Sequence, residues 1–295
     1  MISLIIPTTT SNKKYTDNVY RNIRQMYPDE SKVEVIIQED DSVTLGVNYN
    51  NAVAKAKGEK IILLHNDMVL GSGFIELMDQ HISKGRITTY TRVEPPIYND
   101  TYPGKVLLDC GTDLESFNEN KFKSYTAIKS DLVNGGSQLF FGCYREDYIG
   151  IDGHTFTKFC EDDDLHLRYR LLGFEHKVSP AYVYHFVSKT SRVGNFNDIE
   201  MQSNKNFIRK WGFRNSQHNI KYDIGFVVTN CSLHLLEILE PWCSTIYLKD
   251  DYNLIVSDYI AKEQSNTRFN LRERIKPYDS EKQNEILISF AIHLS

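Results

Sequence analysis

The stretch KIILLHNDMVL, residues 60–70, decides the fold. Ile61, Ile62, Leu63 and Leu64 are apolar without alternation, as in a strand buried on both faces at the centre of a sheet. The run stops abruptly at His65, Asn66 and Asp67, three polar side chains of which one is an acid. A lone Asp at a strand end can simply accept hydrogen bonds from a turn. The flanking sequence decides whether it does more.

Upstream, ISLII (2–6), closed by Pro7, reads as a second buried strand. TDNVYRNIRQM (16–26) sets Val19, Ile23 and Met26 on one helical face before Pro28. VEVII (33–37) is a strand running into Gln38, Glu39, Asp40, Asp41 and Ser42, and LGVNYNNAVAKAK (45–57) is a helix with Gly58 as its C-cap. Downstream, GFIELMDQHIS (73–83) is a helix capped by Gly85, and RITTYTRV (86–93) is a strand. Strand and helix alternate throughout, which predicts an α/β fold: a mostly parallel, Rossmann-like sheet flanked by helices. Such sheets bind ligands beyond the carboxyl ends of their strands. Thr8, Glu39 or Asp40, and Asp67 therefore belong on one edge.

Residues 94–134, with Pro95-Pro96 and Pro103-Gly104, read as a long loop or short hairpin shaping an acceptor pocket. A strand is expected around Gln138–Cys143, a helix over 161–172 stopped by Gly173, a strand over 181–187 and a polar helix over 198–211. After Gly212 the texture changes to a small α/β segment, 213–295, ending on the apolar run ILISFAIHLS (286–295). That ending is expected for a piece of a longer protein.

Composition narrows the partners. The chain has 295 residues and a net charge of −5, so nucleic acid is not the expected partner. Its five cysteines form no CxxC pair, which points away from zinc and disulfides and towards a reducing, cytoplasmic setting. No apolar run reaches the roughly 20 residues that span a bilayer, although contact with a membrane surface stays open.

Two further clusters stand out. In CEDDDLHLR (160–168), acids in the first helical turn suit the macrodipole, and Asp164 can pair with Arg168. Four consecutive acids exceed what capping needs. Their mutual repulsion calls for a cation or a protonation shift. His185 shares a strand face with Val183 and Val187, where a satisfied core histidine is the ordinary reading.

Taken in order, these pieces resemble the nucleotide-diphospho-sugar transferases of the GT-A fold, in particular the inverting family 2 of glycosyltransferases. The resemblance rests on the Pro7-Thr8 strand end, the acids after the second strand, Asn50, Ala56-Lys57-Gly58, Asn66-Asp67, Gly135-Gly136, Glu161-Asp162-Asp163-Asp164, Arg168, Gly173-Phe174 and Pro180 to His185. It covers residues 1–212, the expected transferase domain, and leaves 213–295 as an accessory segment. It implies a metal-dependent inverting glycosyltransferase moving a sugar from a nucleotide-diphosphate sugar to a glycan-type acceptor hydroxyl. Asp67 matches the last acid of the metal-binding DxD motif, whose first acid is replaced here by His65. Asp67 and His185 would hold Mn²⁺ or Mg²⁺, with the nitrogen ligand favouring Mn²⁺. Pro7, Thr8, Glu39, Asp40, Asn50, Asn66 and Asp67 would line the nucleotide sugar, and Asp162 would be the catalytic base. The alternatives are a nucleotidyltransferase, whose glycine-rich loop is absent from IPTTTSNKK, and a non-catalytic glycan-binding module of the same fold.

Overall fold

In a computed structural model of the chain, every residue is described except 128–130, 137–139, 157–158, 188–196, 213–221, 250–251 and 292–295. The apolar runs become β1 (Ile2–Thr8), β2 (Val33–Glu39), β3 (Lys60–Leu63) and, past the HND triplet, β4 (Met68–Leu70). Between them lie α1 (Lys13–Met26) and α2 (Leu45–Lys55). Then follow α3 (Phe74–His81), β5 (Arg86–Glu94), β6 (Lys105–Leu107), α4 (Glu119–Thr126), β7 (Val133–Asn134), β8 (Phe141–Tyr144), α5 (Arg145–Gly150), α6 (Glu161–Leu171) and β9 (Glu175–His185).

The sheet order is β2-β1-β3-β8-β5-β9-β4, with β6 beside β5 and β7 beside β9. Six strands share one direction, while β4, β7 and β8 run against it. The expected mostly parallel α/β sheet is what the chain forms. Alternation within β1 and β3 sends Leu4, Ile6, Ile62 and Leu64 to one face, against Val19 and Ile23 of α1 and Phe74 and Met78 of α3. Ile5, Ile61 and Leu63 meet Tyr49 and Val53 of α2 and Leu165 and Tyr169 of α6 on the other. Each such side chain contributes about 1.5–3 kcal/mol on full burial.

Several local expectations change. β1 does not stop before Pro7: Pro7 pairs with Gln38 and Thr8 with Glu39. The β1–β3 pairing ends at Ile5 and Leu63, so a missing N–H is tolerated there. Gly58 is not the C-cap of α2, which ends at Lys55 with Ala56 already extended. Its role is close approach: the Gly58 N–H donates to Ser3 Oγ at 2.8 Å, and a Cβ would lie 2.5 Å from that oxygen. The supposed loop 94–134 holds β6, α4 and β7. In α4, Asn118 caps the helix by accepting from Lys121 N at 2.9 Å, and only Phe122 and Thr126 are buried, too few anchors to show a helical period. β9 begins before Pro180, because the register with β5 jumps from Tyr90/Ser179 to Thr91/Tyr182. That bulge sets Pro180 and Ala181 outside the ladder and breaks the alternation. Of the strand expected at Gln138–Cys143, the part at 137–139 lies outside the described residues, as does 292–295 of the last run.

The chain divides into the units Met1–Phe196 and Asn197–Ser295. The second contains α7 (Asn197–Trp211), β10 (Ile224–Thr229), α8 (Leu233–Leu239), β11 (Thr245–Leu248), α9 (Tyr252–Glu263), α10 (Leu271–Arg274), β12 (Ile275–Pro277) and β13 (Ile286–Ala291). Its four strands are parallel, in the order β12-β11-β10-β13. The polar helix α7 falls in the second unit, although its residues precede Gly212. Its fully buried Arg209 donates to Glu240 at 2.7 and 2.9 Å and to Glu263 at 2.8 Å. Trp242 is 48% exposed. Among the described residues, no helix is long and apolar enough to cross a membrane.

Candidate active site

The shared strand direction brings the ends of β1, β2, β3, β5 and β9 to one edge of the sheet. Asp67 and His185 meet there because β4 pairs antiparallel with β9, with Met68 opposite His185. The Phe186 N–H donates to the Asp67 carbonyl at 3.1 Å and locks this register. His185 Nε2 then faces Asp67 Oδ1 at 3.4 Å. Both side chains are buried, Asp67 to 1% exposure and His185 to 7%.

His65 completes the group. One ligand atom from each of His65, Asp67 and His185 lies within 4.8 Å of the others. Its ring packs edge-on against Phe140 and His185, with centroids 4.7 and 5.8 Å away. Buried polar atoms are ordinarily hydrogen-bonded. Here His65 Nε2 is buried without a hydrogen-bond partner, and the buried Asp67 Oδ1 makes only the loose 3.4 Å contact with His185 Nε2. A carboxylate oxygen and two imidazole nitrogens, each with a lone pair to offer, fit a divalent cation.

The protonation pattern follows from the neighbours. Burial holds His65 neutral, down at about 4, with Asp67 opposing that shift. For Asp67, burial alone would raise the carboxyl, but the charge of His185 outweighs it and the net shift is downward. For His185, burial works against the charged ring, but Asp67 and Glu94 prevail and lift it to about 9. His185 Nδ1 donates to Glu94 Oε1 at 2.7 Å. Glu94 is itself buried between Arg92 and Lys105, each 3.5 Å away.

The acid helix α6 is entered through strained backbone. Phe159 and Cys160 both have φ near +60°, a region that non-glycine residues rarely adopt. Asp164 is fully buried, accepting from Arg168 Nε and Thr155 Oγ1, each at 2.9 Å. Arg168 also holds the carbonyls of Ile151 and Gly153, so this acid and base fasten the preceding loop. Asp162 is different. Partial burial first, then the neighbouring Asp163, push its carboxyl up to about 8, against the pull of Arg92; the side chain remains 21% exposed. His154 Nε2 lies 3.7 Å from Asp162 Oδ1. Burial and then Arg168 hold that ring down to about 3, so it faces Asp162 as a neutral group.

The remaining expected ligand residues are placed as follows. Thr8 is buried, its Oγ1 bonded to Thr16 Oγ1 at 2.6 Å and accepting from Asn66 Nδ2 at 2.9 Å. Asn66 thus ties the HND turn to β1 and α1. Pro7 is buried within β1. Asn50 is occupied by the His154 backbone on both amide atoms, at 2.8 and 3.0 Å, and by Tyr148 OH at 2.7 Å. Asp40 closes a local turn on Ser42, which lowers its pKa. Glu39 is exposed at the edge, near Thr10 Oγ1 at 3.4 Å.

Sequence reasoning missed Glu94, Arg92 and Lys105 and left His65 without a role. The signal for Glu94 was present: it is the last residue of β5, at the same edge, directly before Pro95.

No protein-family model matches the chain, and no curated protein matches its sequence. Solved structures align with part of the chain. S. aureus TarS 1–349 aligns over 62% of this chain and 60% of its own, with 12% identity and a TM-score of 0.43. The same protein in complex with UDP aligns over 62% and 59%, with 15% identity and a TM-score of 0.42. GalNAc-T7 with UDP, GalNAc and Mn²⁺ aligns over 63% and 43%, with 11% identity and a TM-score of 0.43. The match spans less than two thirds of each of those chains. At these scores the likeness is partial, and the fold stands on the sheet described above.

Proposed function

We propose that the chain is a GT-A-type glycosyltransferase that moves a sugar from a nucleotide-diphosphate sugar to an acceptor hydroxyl with inversion. The observation that carries this reading is the group of half-buried His65 and buried Asp67 and His185 at the carboxyl edge of the sheet, with His65 Nε2 lacking a hydrogen-bond partner and Asp67 Oδ1 facing His185 Nε2. A bound Mn²⁺ or Mg²⁺ would supply Lewis-acid stabilisation of the charge that develops on a leaving diphosphate.

The chain's own residues do the rest. His65, neutral in the folded protein, offers a lone pair without first losing a proton. His185 must give up its proton to do the same, and Glu94 keeps its ring oriented. Asp162 takes the proton of the attacking hydroxyl. Its raised pKa, about 8, suits a general base acting near neutral pH. Asp164 and Arg168 hold the entry to α6, on which Asp162 rides. Exposed Glu39, at the end of β2, is available to a ribose or base.

A panel of nucleotide-diphosphate sugars, incubated with the protein and Mn²⁺, tests the reading. Sugar release or transfer is expected from at least one donor, lost with EDTA and in Asp67→Ala. Turnover that survives both treatments would remove the metal role, and no turnover or stabilisation by any donor would remove the transferase reading.

A further inference from the structure

The strongest feature outside the residues assigned so far is the buried row behind His185. β5 and β9 are parallel neighbours, with Val93 opposite Tyr184, so Glu94 and His185 follow side by side. Glu94 Oε1 accepts from His185 Nδ1 at 2.7 Å, a short, charge-assisted bond. Both groups are buried. A buried carboxylate is strongly unfavourable unless it is paired. Glu94 has its pairs: Arg92 Nη1 at 3.5 Å from Oε1 and Lys105 Nζ at 3.5 Å from Oε2. Each cation is held in turn. Arg92 lies 4.2 Å over the Phe140 ring and bonds Tyr102 OH, and Lys105 bonds Asp100 Oδ1 at 2.7 Å. β6 sets Lys105 opposite Arg92 across a parallel pairing, which brings both cations to one carboxylate.

This construction has a consequence for His185. With Nδ1–H committed to Glu94, the ring presents Nε2, and Nε2 is the atom that faces Asp67 at 3.4 Å. An imidazole that binds a metal through one nitrogen is oriented by the partner of the other. We propose that Glu94 is the positioning residue of the metal site, fixing the tautomer and direction of His185, and that Arg92 and Lys105 exist to hold Glu94 in place. The proposal rests on the metal reading given above and extends it to three residues that make no contact with the ion. Phe140 belongs to the same device, since its ring also packs at 5.2 Å from His185 and 4.7 Å from His65.

The alternative is a purely structural charge cluster, in which Glu94 matters for its charge alone. Two conservative variants separate the two roles. Glu94→Gln removes the charge but keeps a carbonyl oxygen at the same reach, still able to accept from Nδ1–H. Glu94→Asp keeps the charge that balances Arg92 and Lys105 but withdraws the oxygen by one methylene. Mn²⁺ binding by the full chain is measured calorimetrically without nucleotide, and folding is checked by thermal melting. Positioning predicts that Glu94→Asp weakens Mn²⁺ binding about 10–100-fold while Glu94→Gln loses less than about tenfold. Wild-type affinity in Glu94→Asp, or an equal or larger loss in Glu94→Gln, overturns the positioning role while the metal reading stands. Absence of Mn²⁺ binding by the wild type overturns the metal reading, and this proposal with it. If Glu94→Asp melts before it can be titrated, Arg92→Lys, which disturbs Glu94 from behind, takes its place with the same expected loss.

Discussion

Asp67→Asn removes one charge from the centre of the site with almost no change in shape, and its effect should depend on pH in a way that neutral packing would not. In the wild type His185 is lifted from its ordinary 6.5 to about 9, against burial, by Asp67 and Glu94. A histidine raised on folding stabilises the protein fully below the unfolded value, and that stabilisation fades as pH climbs through the folded one. At about 1.4 kcal/mol per pH unit, the window from 6.5 to 9 holds about 3 kcal/mol. Asp67 leads the favourable contributions, so roughly 2 kcal/mol of that should vanish with it. Asp67 itself is lowered on folding, so its share is present above 3.8 and lost only in acid. The penalty of Asp67→Asn should therefore be largest between about pH 4 and 6.5 and shrink towards pH 9. Urea titrations of both proteins in chelator, at half-unit steps from pH 6 to 9.5, give the difference directly. Other titrating groups, Asp162 included, largely cancel in that difference. A penalty that stays constant across the range would show that His185 is not charged in the folded protein, and the account of the site's electrostatics would fail.

Other outcomes follow from the same geometry. Because His185 must lose its proton to bind an ion, Mn²⁺ affinity should rise about tenfold per pH unit up to about 9, with one proton released per ion in two-buffer calorimetry; a flat profile would exclude His185 as a ligand. Asp162→Asn should lower turnover about 10²–10⁴-fold with donor affinity kept. The wild-type rate should climb with pH and level off near 8, where the raised Asp162 carboxyl becomes ionised. An undiminished rate in the variant would take the base role from this residue. Gly58→Ala sets a methyl 2.5 Å from Ser3 Oγ and 2.7 Å from Ser3 N, and should cost about 1–3 kcal/mol in chemical unfolding. A neutral result would mean that the α2–β3 turn is looser than described.

How much of this could be read in the sequence differs between levels. The sheet was legible because apolar runs such as IILL and ISLII have no other use at that length, and helices with clear periods separate them. The edge was legible too, since parallel strands put all their carboxyl ends together. What lies past the last paired residue was not legible, because side-chain direction there depends on tertiary partners. Thr8 and Asn66 stand at the edge yet bond each other, and Asn50 is taken up by the His154 backbone. His185 looked like a core histidine on a valine face, and its charge comes from acids far away in sequence. Glu94 was hidden by ending β5 one residue early, and α4 by having too few apolar anchors. The sign of the Asp162 shift needed its partial burial, which no run of acids reveals.

His65, Asp67 and His185 are proposed to bind one divalent cation. Crystals of the protein soaked in MnCl₂ at pH 8.5, with anomalous data collected above the manganese edge, test it most directly. A single strong peak is expected between the Asp67 carboxylate and the Nε2 atoms of His185 and His65, with Glu94 still on Nδ1 of His185. No peak there, with His185 still facing Asp67 across 3.4 Å, would contradict it.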